Sequence, residues 1–167
     1  MASGELERCP QCGAMTPPVA GPGHAYIASS AGCWAAMAEL QATLGRRFGG
    51  VPGGRLVVDA YGAQHPGDGS DRRDRQSVFV HLAALCAVLE RGWPPERAID
   101  VRRWLLAGER EFPVLRRPPG PPGLTHQHLS VAADGEDYDR RARAWARSVW
   151  EAWGDARVLV RARVARL

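Results

Sequence analysis

Apolar residues recur at steps of three and four along much of the chain, which is the period of an amphipathic helix. Helices are predicted from Ser29 or Ser30 to about Phe48, and over about residues 74–91, 95–107 and 136–153. The clearest apolar stripe consists of Tyr138, Ala142, Trp145, Val149 and Trp153. A shorter element at 55–61 fits either a short helix or a strand. The pattern therefore predicts a mainly α domain of about five helices.

The same periodicity predicts which side chains are buried. In the helix at 95–107, the residues expected in the core are Ile99, Val101, Trp104 and Leu105. Among the C-terminal tryptophans, Trp150 lies off the apolar stripe and is expected to be partly exposed. The tail at 157–167 alternates basic and apolar residues, so an edge strand, a frayed helix and a disordered segment all remain open.

Length and composition indicate one domain. The chain has 167 residues, of which 45% are hydrophobic, enough for a single core. We expect one domain over 1–167, with a metal-binding N-terminal loop at 1–33, a helical body at 34–156 and a basic tail at 157–167. No run of apolar residues is long enough to span a membrane, and the N-terminus carries no apolar signal segment. The sequence therefore predicts a cytoplasmic protein with no membrane partner.

Four cysteines in a reducing compartment indicate metal binding, catalysis or burial rather than disulfides. Cys9 and Cys12, followed by Gly13, have the spacing of a knuckle in which two thiolates reach one ion. A closed tetrahedral zinc site needs two more ligands, and the next stretch supplies His24 and Cys33. The predicted cofactor is thus Zn²⁺, held by Cys9, Cys12, His24 and Cys33. Cys86 is expected to be a buried small apolar residue.

Zinc also gives a reason for order in a segment of poor helix and strand formers. Residues 16–24 are rich in proline and glycine, and structural zinc can supply on the order of 10 kcal/mol of apparent binding free energy to such a loop. A thioredoxin-like redox pair is the alternative use of two cysteines at this spacing, but Gly13, Pro17 and Pro18 exclude the helix that normally follows it. Cysteines without any metal remain the simplest alternative.

A second set of polar residues follows closely along the chain. Four of them, Asp59, Tyr61, Gln64 and His65, lie within seven residues beside a Pro-Gly turn. On the next predicted helix, Ser77 and His81 stand four residues apart and so share a face. That face also carries apolar residues, which predicts a polar cluster inside a helical core.

Three interpretations of this cluster are open. His65 and His81, with Asp59, can bind a catalytic metal that keeps open positions. Alternatively, the six residues form an acid–base or ligand pocket beside a zinc ion that is only structural. The third interpretation is a buried polar network that fixes helix packing. His126 and His128, in a segment that follows several prolines, are expected at the surface.

The C-terminal region is basic. From Arg140 onward eight arginines face only Glu151 and Asp155, and the whole chain has a formal net charge of +4. This distribution is compatible with nucleic-acid binding, although arginines on a solvated helix face give the same pattern.

Several short motifs resemble a bacterial family of small domains of unknown function. They are CPxCG from Cys9, GCW from Gly32, VDAYxxQHPG from Val58 and QSVxVHL from Gln76. The resemblance implies that one shared site involves His24, Cys33, Asp59, Tyr61, Gln64, His65, Ser77 and His81. It carries no known activity. It also leaves open whether cysteines and histidines form one site or two, because Cys9, Cys12 and Cys33 with His65 or His81 would be equally sound coordination.

The leading functional hypothesis is a metal-dependent small-molecule enzyme or ligand-binding protein. Its pocket would be built from Asp59, Tyr61, Gln64, His65 and His81, with Ser77 beside them as a further catalytic candidate. The alternative is a zinc-stabilised binding module that recognises nucleic acid or a protein partner through the arginine-rich C-terminal region.

Overall fold

The computed structural model describes residues 5–48, 50–108, 110–121 and 123–167. Within these ranges the chain forms six α-helices and a two-stranded antiparallel sheet. The helices are α1 Ala31–Phe48, α2 Val57–Gln64, α3 Arg72–Leu89, α4 Ala98–Gly108, α5 Gly135–Ala152 and α6 Arg157–Val164. The strands are β1 Glu7–Arg8 and β2 Met15–Thr16, paired Glu7 with Thr16 and Arg8 with Met15. The mainly α prediction is confirmed, with six helices rather than about five.

Three of the helices begin at residues whose side chains cap free backbone amides. Ser30 Oγ accepts from the amide of Cys33 at 3.2 Å, so α1 begins where the sequence predicted. Asp71 accepts from the amide of Arg73, and Asp134 from that of Asp137 at 2.8 Å. The last two caps fix the starts of α3 and α5, the two longest helices after α1.

Helix α3 lies at the centre of the fold. It packs against α2, α4, α5 and α6. Its buried residues lie on nearly every side, namely Ser77, Val78, Phe79, Val80, Leu82, Ala83, Ala84, Leu85, Cys86, Ala87 and Val88. A helix surrounded by neighbours needs apolar residues all round, which is why its sequence shows a weak stripe. Cys86 is buried among them, as expected, and burial raises the pKa of its thiol to about 11.

The stripe on α5 faces the core as predicted, but Trp150 does not follow its expected exposure. The Trp150 side chain is only 2% exposed. The tail folds as α6, and the guanidinium groups of Arg157 and Arg161 lie over the indole ring at 5.7 and 5.8 Å. The indole Nε1 donates to Glu90 at 2.7 Å. The expectation was wrong because α6 covers a face that α5 alone leaves open.

Helix α4 buries a narrower face than expected. Val101 and Leu105 are buried, whereas Ile99 and Trp104 are 41% and 43% exposed. Trp104 packs instead edge-on against Trp93, with ring centroids 5.7 Å apart. The expected burial was wrong for these two residues because α4 packs mainly against α3, and their side chains remain uncovered. None of the described helices is long and apolar enough to cross a membrane.

Candidate metal centre and an adjoining polar groove

The short sheet folds the two N-terminal cysteines into a tight knuckle. The amide of Cys9 donates to the carbonyl of Ala14, and that of Gly13 to the carbonyl of Cys9, each at 2.9 Å. Gly13 has a φ of +77°, in the left-handed region that glycine adopts without strain. Both thiols of the knuckle are buried. The CPxCG motif therefore encodes a turn that directs Cys9 and Cys12 to the same side.

Cys33 joins them from the first turn of α1. The preceding Gly32 lies so close to the carbonyl oxygen of Pro17 that a β-carbon there would collide with it. Glycine at this position lets α1 begin directly against the end of β2. The GCW motif is thus explained by a close approach, and it brings the Cys33 thiol to 3.8 Å from that of Cys12.

His65 completes the group from the end of α2. Its Nδ1 donates to the carbonyl of Tyr61 at 2.8 Å, because a carbonyl oxygen can only accept. That bond leaves a lone pair on Nε2, which lies 3.5 Å from the sulfur of Cys33. A histidine held in this way is oriented as a ligand before any ion binds.

The four ligand atoms surround one point in the protein interior. The sulfurs of Cys9, Cys12 and Cys33 and a ring nitrogen of His65 all lie within 4.8 Å of one another. None of the four residues is more than 2% exposed. These residues can therefore hold a metal ion, and the predicted N-terminal metal site extends to a residue beyond 1–33.

Hydrogen bonds to the sulfurs favour negative charge in this buried position. The amide of Ala14 donates to Cys12 at 3.4 Å, and the hydroxyl of Tyr61 donates to Cys33 at 3.5 Å. Burial raises the pKa of Tyr61, so its hydroxyl keeps the proton that it donates. Contacts from the thiols of Cys12 and Cys33 lower the pKa of Cys9, and contacts with Cys33 and Cys9 raise the pKa of Cys12. Because cysteine ligates a metal as the thiolate, a bound dication would displace the thiol protons.

His24, the predicted fourth ligand, lies outside this group. Its Nδ1 accepts from the amide of Tyr26 at 3.3 Å, and its ring packs on Trp34 with centroids 4.8 Å apart. The four-ligand set is corrected to one with His65 in place of His24. Proximity along the chain favoured His24, whereas the packing of α2 beside the knuckle brings His65 to the cysteines.

The predicted polar cluster is divided between three places. Tyr61 and His65 belong to the metal group. Gln64 instead joins a half-buried loop to α5, because its amide donates to the carbonyl of Leu124 at 2.7 Å and its carbonyl accepts from the indole of Trp145 at 3.1 Å. Gln64 therefore fixes packing, and in the part of the chain that the structure describes these side chains point to different places.

Asp59, Ser77 and His81 lie together on the other side of α2. Asp59 is fully buried, and its Oδ1 accepts from Nδ1 of His81 at 2.8 Å and from Arg102 at 3.1 Å. The His81 ring packs on Gly62, where a β-carbon would lie 2.6 Å from Nε2. Gly62 is therefore needed for the close packing of α2 on α3.

A groove of about 550 Å³ opens above this pair. Its polar lining consists of Arg72, Arg73, Gln76, Ser77, His81 and Arg102. Tyr26, Val80 and Leu106 supply its less polar wall. The groove has the size of a small-molecule site, and most of its lining residues are polar.

The chain belongs to the family of unknown function DUF5946. The family model matches residues 7–154, which include the metal group and the groove. The expected membership of an uncharacterised family of small domains is confirmed. No curated protein and no solved structure matches the chain.

One further residue of this DUF5946 member differs from its expected position. His126 is 2% exposed rather than at the surface, and neither ring nitrogen has a hydrogen-bond partner among the described residues. Burial and the nearby His65 lower the pKa of His126 to about 4, so the ring is neutral at pH 7. Its ring lies 6.1 Å from that of Tyr61. Thr125, which caps the short turn His126–Leu129, was the available signal for an ordered segment here.

Proposed function

We propose that the protein binds one zinc ion at Cys9, Cys12, Cys33 and His65 as a structural centre, and binds a small molecule in the separate groove above His81. The observation that carries the first part is the complete burial of four protein ligands. Structural zinc sites are closed by four protein ligands, whereas catalytic ones keep a position open for water or substrate. A metal-dependent reaction at this centre is therefore not part of the proposal.

The choice of zinc rests on donor chemistry and distances. Three thiols and one imidazole are the donors of common structural zinc sites. With bonds of about 2.3 Å to sulfur and about 2.0–2.1 Å to nitrogen, a tetrahedral ion separates two sulfurs by about 3.8 Å and a sulfur from a nitrogen by about 3.5 Å. The Cys33 sulfur lies 3.8 Å from the Cys12 sulfur and 3.5 Å from Nε2 of His65, and all four ligand atoms lie within 4.8 Å of one another.

Elemental analysis of the purified chain tests the zinc centre. About one zinc per chain is expected, lost from Cys33→Ser and from His65→Ala because each variant removes a ligand. Cys86→Ala and His24→Ala are matched controls, since both residues lie outside the group, and both should keep the metal. Zinc retained in His65→Ala but lost in His24→Ala would restore the ligand set predicted from spacing, and no metal in the wild type would reject the centre.

The groove supports the proposed binding of a small molecule because its histidine, His81, is held by a buried acid. Asp59 fixes the His81 ring from below, while the ring borders an open cavity. Convergent polar groups in a partly apolar cavity are typical of ligand sites. Screening the zinc-loaded protein by NMR against small charged and uncharged molecules tests this. Shifts confined to residues of the groove are expected, and the absence of any binding molecule in a broad set would contradict it.

The nucleic-acid alternative is weakened by the surroundings of the C-terminal arginines. Arg140 and Arg141 pair with Asp137, and Arg143 pairs with Asp139. Arg161 pairs with Glu90 at 2.7 Å. Paired guanidinium groups leave less charge for phosphates of a polymer. Tight, strongly salt-dependent binding of a short oligonucleotide, lost on replacing these arginines, would favour the alternative.

A further inference from the structure

The groove above His81 carries an excess of positive charge. Arg72 and Arg73 come from the first turn of α3, and Arg102 comes from α4 across the groove. No acidic residue of the described chain lines the groove, and the carboxylate of Asp59 lies buried beneath it. Three guanidinium groups therefore stand against one shielded carboxylate, an arrangement that attracts anions.

Two of these arginines are fixed in place. Arg72 donates from Nε to the carbonyl of Arg110 at 2.7 Å and from Nη1 to Gln76 at 3.0 Å. Its guanidinium also lies over the ring of Phe112, at 5.9 Å. Arg102 is held by Asp59 through Nη1. Side chains that are already ordered lose less entropy when a ligand binds, which distinguishes them from freely solvated arginines.

His81 adds a group that can exchange a proton with a ligand. Since a carboxylate only accepts, Nδ1 carries the hydrogen that it donates to Asp59. Nε2 makes no hydrogen bond to a described residue, and the His81 side chain is 12% exposed. The neutral ring can accept a hydrogen bond from a protonated acid group of a ligand. As imidazolium, the ring can donate a hydrogen bond to an ionised one. Ser77, one helical turn earlier on the same face, lines the groove beside it.

We propose that this groove binds the phosphate group of a small organic molecule, with Arg72, Arg73, Arg102 and His81 around its oxygens. The inference deepens the proposed ligand-binding function and rests on it. Four donor groups match the oxygens of a phosphate better than the two oxygens of a carboxylate. The cavity is larger than one phosphate, and Tyr26, Val80 and Leu106 give the organic part a less polar surface.

Titration of the zinc-loaded, full-length protein with inorganic phosphate tests the inference. The His81 ring resonances are followed by NMR at constant pH, with chloride replaced by phosphate at constant ionic strength. A saturable shift of the His81 signals is expected, because Nε2 would gain a charged hydrogen-bond partner. Signals of His128, which lies in the turn His126–Leu129 and outside the groove lining, serve as the internal reference and should not change.

Two arginine variants separate a site from general attraction. Arg73→Gln removes a groove guanidinium, and Arg103→Gln removes a neighbouring one that lies outside the groove, with the same change of net charge. Phosphate binding is expected to weaken about tenfold in Arg73→Gln, the loss typical of one charged hydrogen bond. Arg103→Gln should leave it unchanged.

Three results would overturn the inference. One is the absence of a saturable His81 shift, and another is equal weakening in Arg73→Gln and Arg103→Gln. The third is binding of uncharged molecules in the groove without binding of phosphate, which would leave the proposed ligand-binding function standing. A groove that binds neither class would reject both.

Discussion

The metal group and the groove each depend on one residue from opposite ends of α2, yet they differ in what surrounds them. At the end of α2, His65 faces three cysteines, and all four ligands are buried. Near its start, Asp59 is equally buried but holds a histidine that borders an open cavity. The ligand atoms of the metal group face one another away from solvent, an arrangement that suits an ion. In the groove, one buried acid orients a group toward solvent, which suits a ligand. The comparison teaches that access from solvent, more than residue type, separates the proposed structural centre from the proposed ligand site.

Removing zinc tests the metal group, the first of the two regions compared, and is expected to have the largest effect. A chelator in excess should lower the free energy of unfolding by at least about 5 kcal/mol, because the knuckle has few apolar contacts of its own. In a chain of this size that corresponds to a fall in Tm of about 10 °C or more. Calorimetry with and without chelator measures it. An unchanged melting curve would mean that the centre does not hold the N-terminal segment in place.

Asp59→Ala tests the second region, the groove above His81. The variant leaves the Nδ1 of His81 and the guanidinium of Arg102 without their acceptor, at an expected cost of about 3–5 kcal/mol. Urea unfolding gives the free energy, and elemental analysis should show unchanged zinc content. Asp100→Ala is the control, because that carboxylate pairs with arginines at the surface and should cost less than about 1 kcal/mol. Loss of zinc from Asp59→Ala would show that the two sites are not independent.

Gly62→Ala sharpens the boundary between the sites. A methyl group here meets the His81 ring, and the forced movement should cost about 1–3 kcal/mol. Gly45→Ala is a matched substitution in α1 with open space around it, and it should stabilise by up to about 1 kcal/mol. Chemical denaturation of both variants checks the signs. A stable Gly62→Ala protein with undisturbed His81 resonances would contradict the close packing described for α2 and α3.

Tyr61→Phe is the finest test, since it removes one hydroxyl from the surroundings of the metal group. Loss of the hydrogen bond to Cys33 should weaken zinc binding about tenfold, the lower end for groups that support metal ligands. Competition with a chelator of known affinity gives the value. Tyr138→Phe, buried on α5 away from the centre, should leave the affinity at the wild-type level. Equal affinities in all three proteins would assign Tyr61 to packing alone.

Local patterns in the sequence predicted much of the fold. The stripe of α5, the Ser30 cap of α1 and the breakers between helices each depend on neighbours in the chain, so they can be recognised without a tertiary structure. The knuckle of Cys9 and Cys12 was equally local, because its geometry follows from spacing and from Gly13. Cys33 was also identified, since it lies in the first turn of a helix whose start was predicted.

Burial was less predictable where a distant element supplies the cover. Trp150 is covered by α6, a tail for which the sequence left three conformations open. Trp104 is exposed because α4 packs mainly against α3, which does not cover this side chain. His126 is buried near Tyr61, although the prolines and polar residues of its segment did not indicate that the segment belongs to the core.

By itself the sequence determined most of the helices, the cysteine knuckle and a set of polar residues that contributes to both proposed sites, but it did not indicate Arg72, Arg73 or Arg102 of the groove. The tertiary structure alone decided the fourth ligand and the division of those residues, placing His65 with the cysteines, Gln64 in the core and His81 above Asp59. The physical reason is that helical periodicity and turns act between residues close in the chain. Coordination and access from solvent depend instead on distances between elements, which are set by how α2 packs between the knuckle and α3.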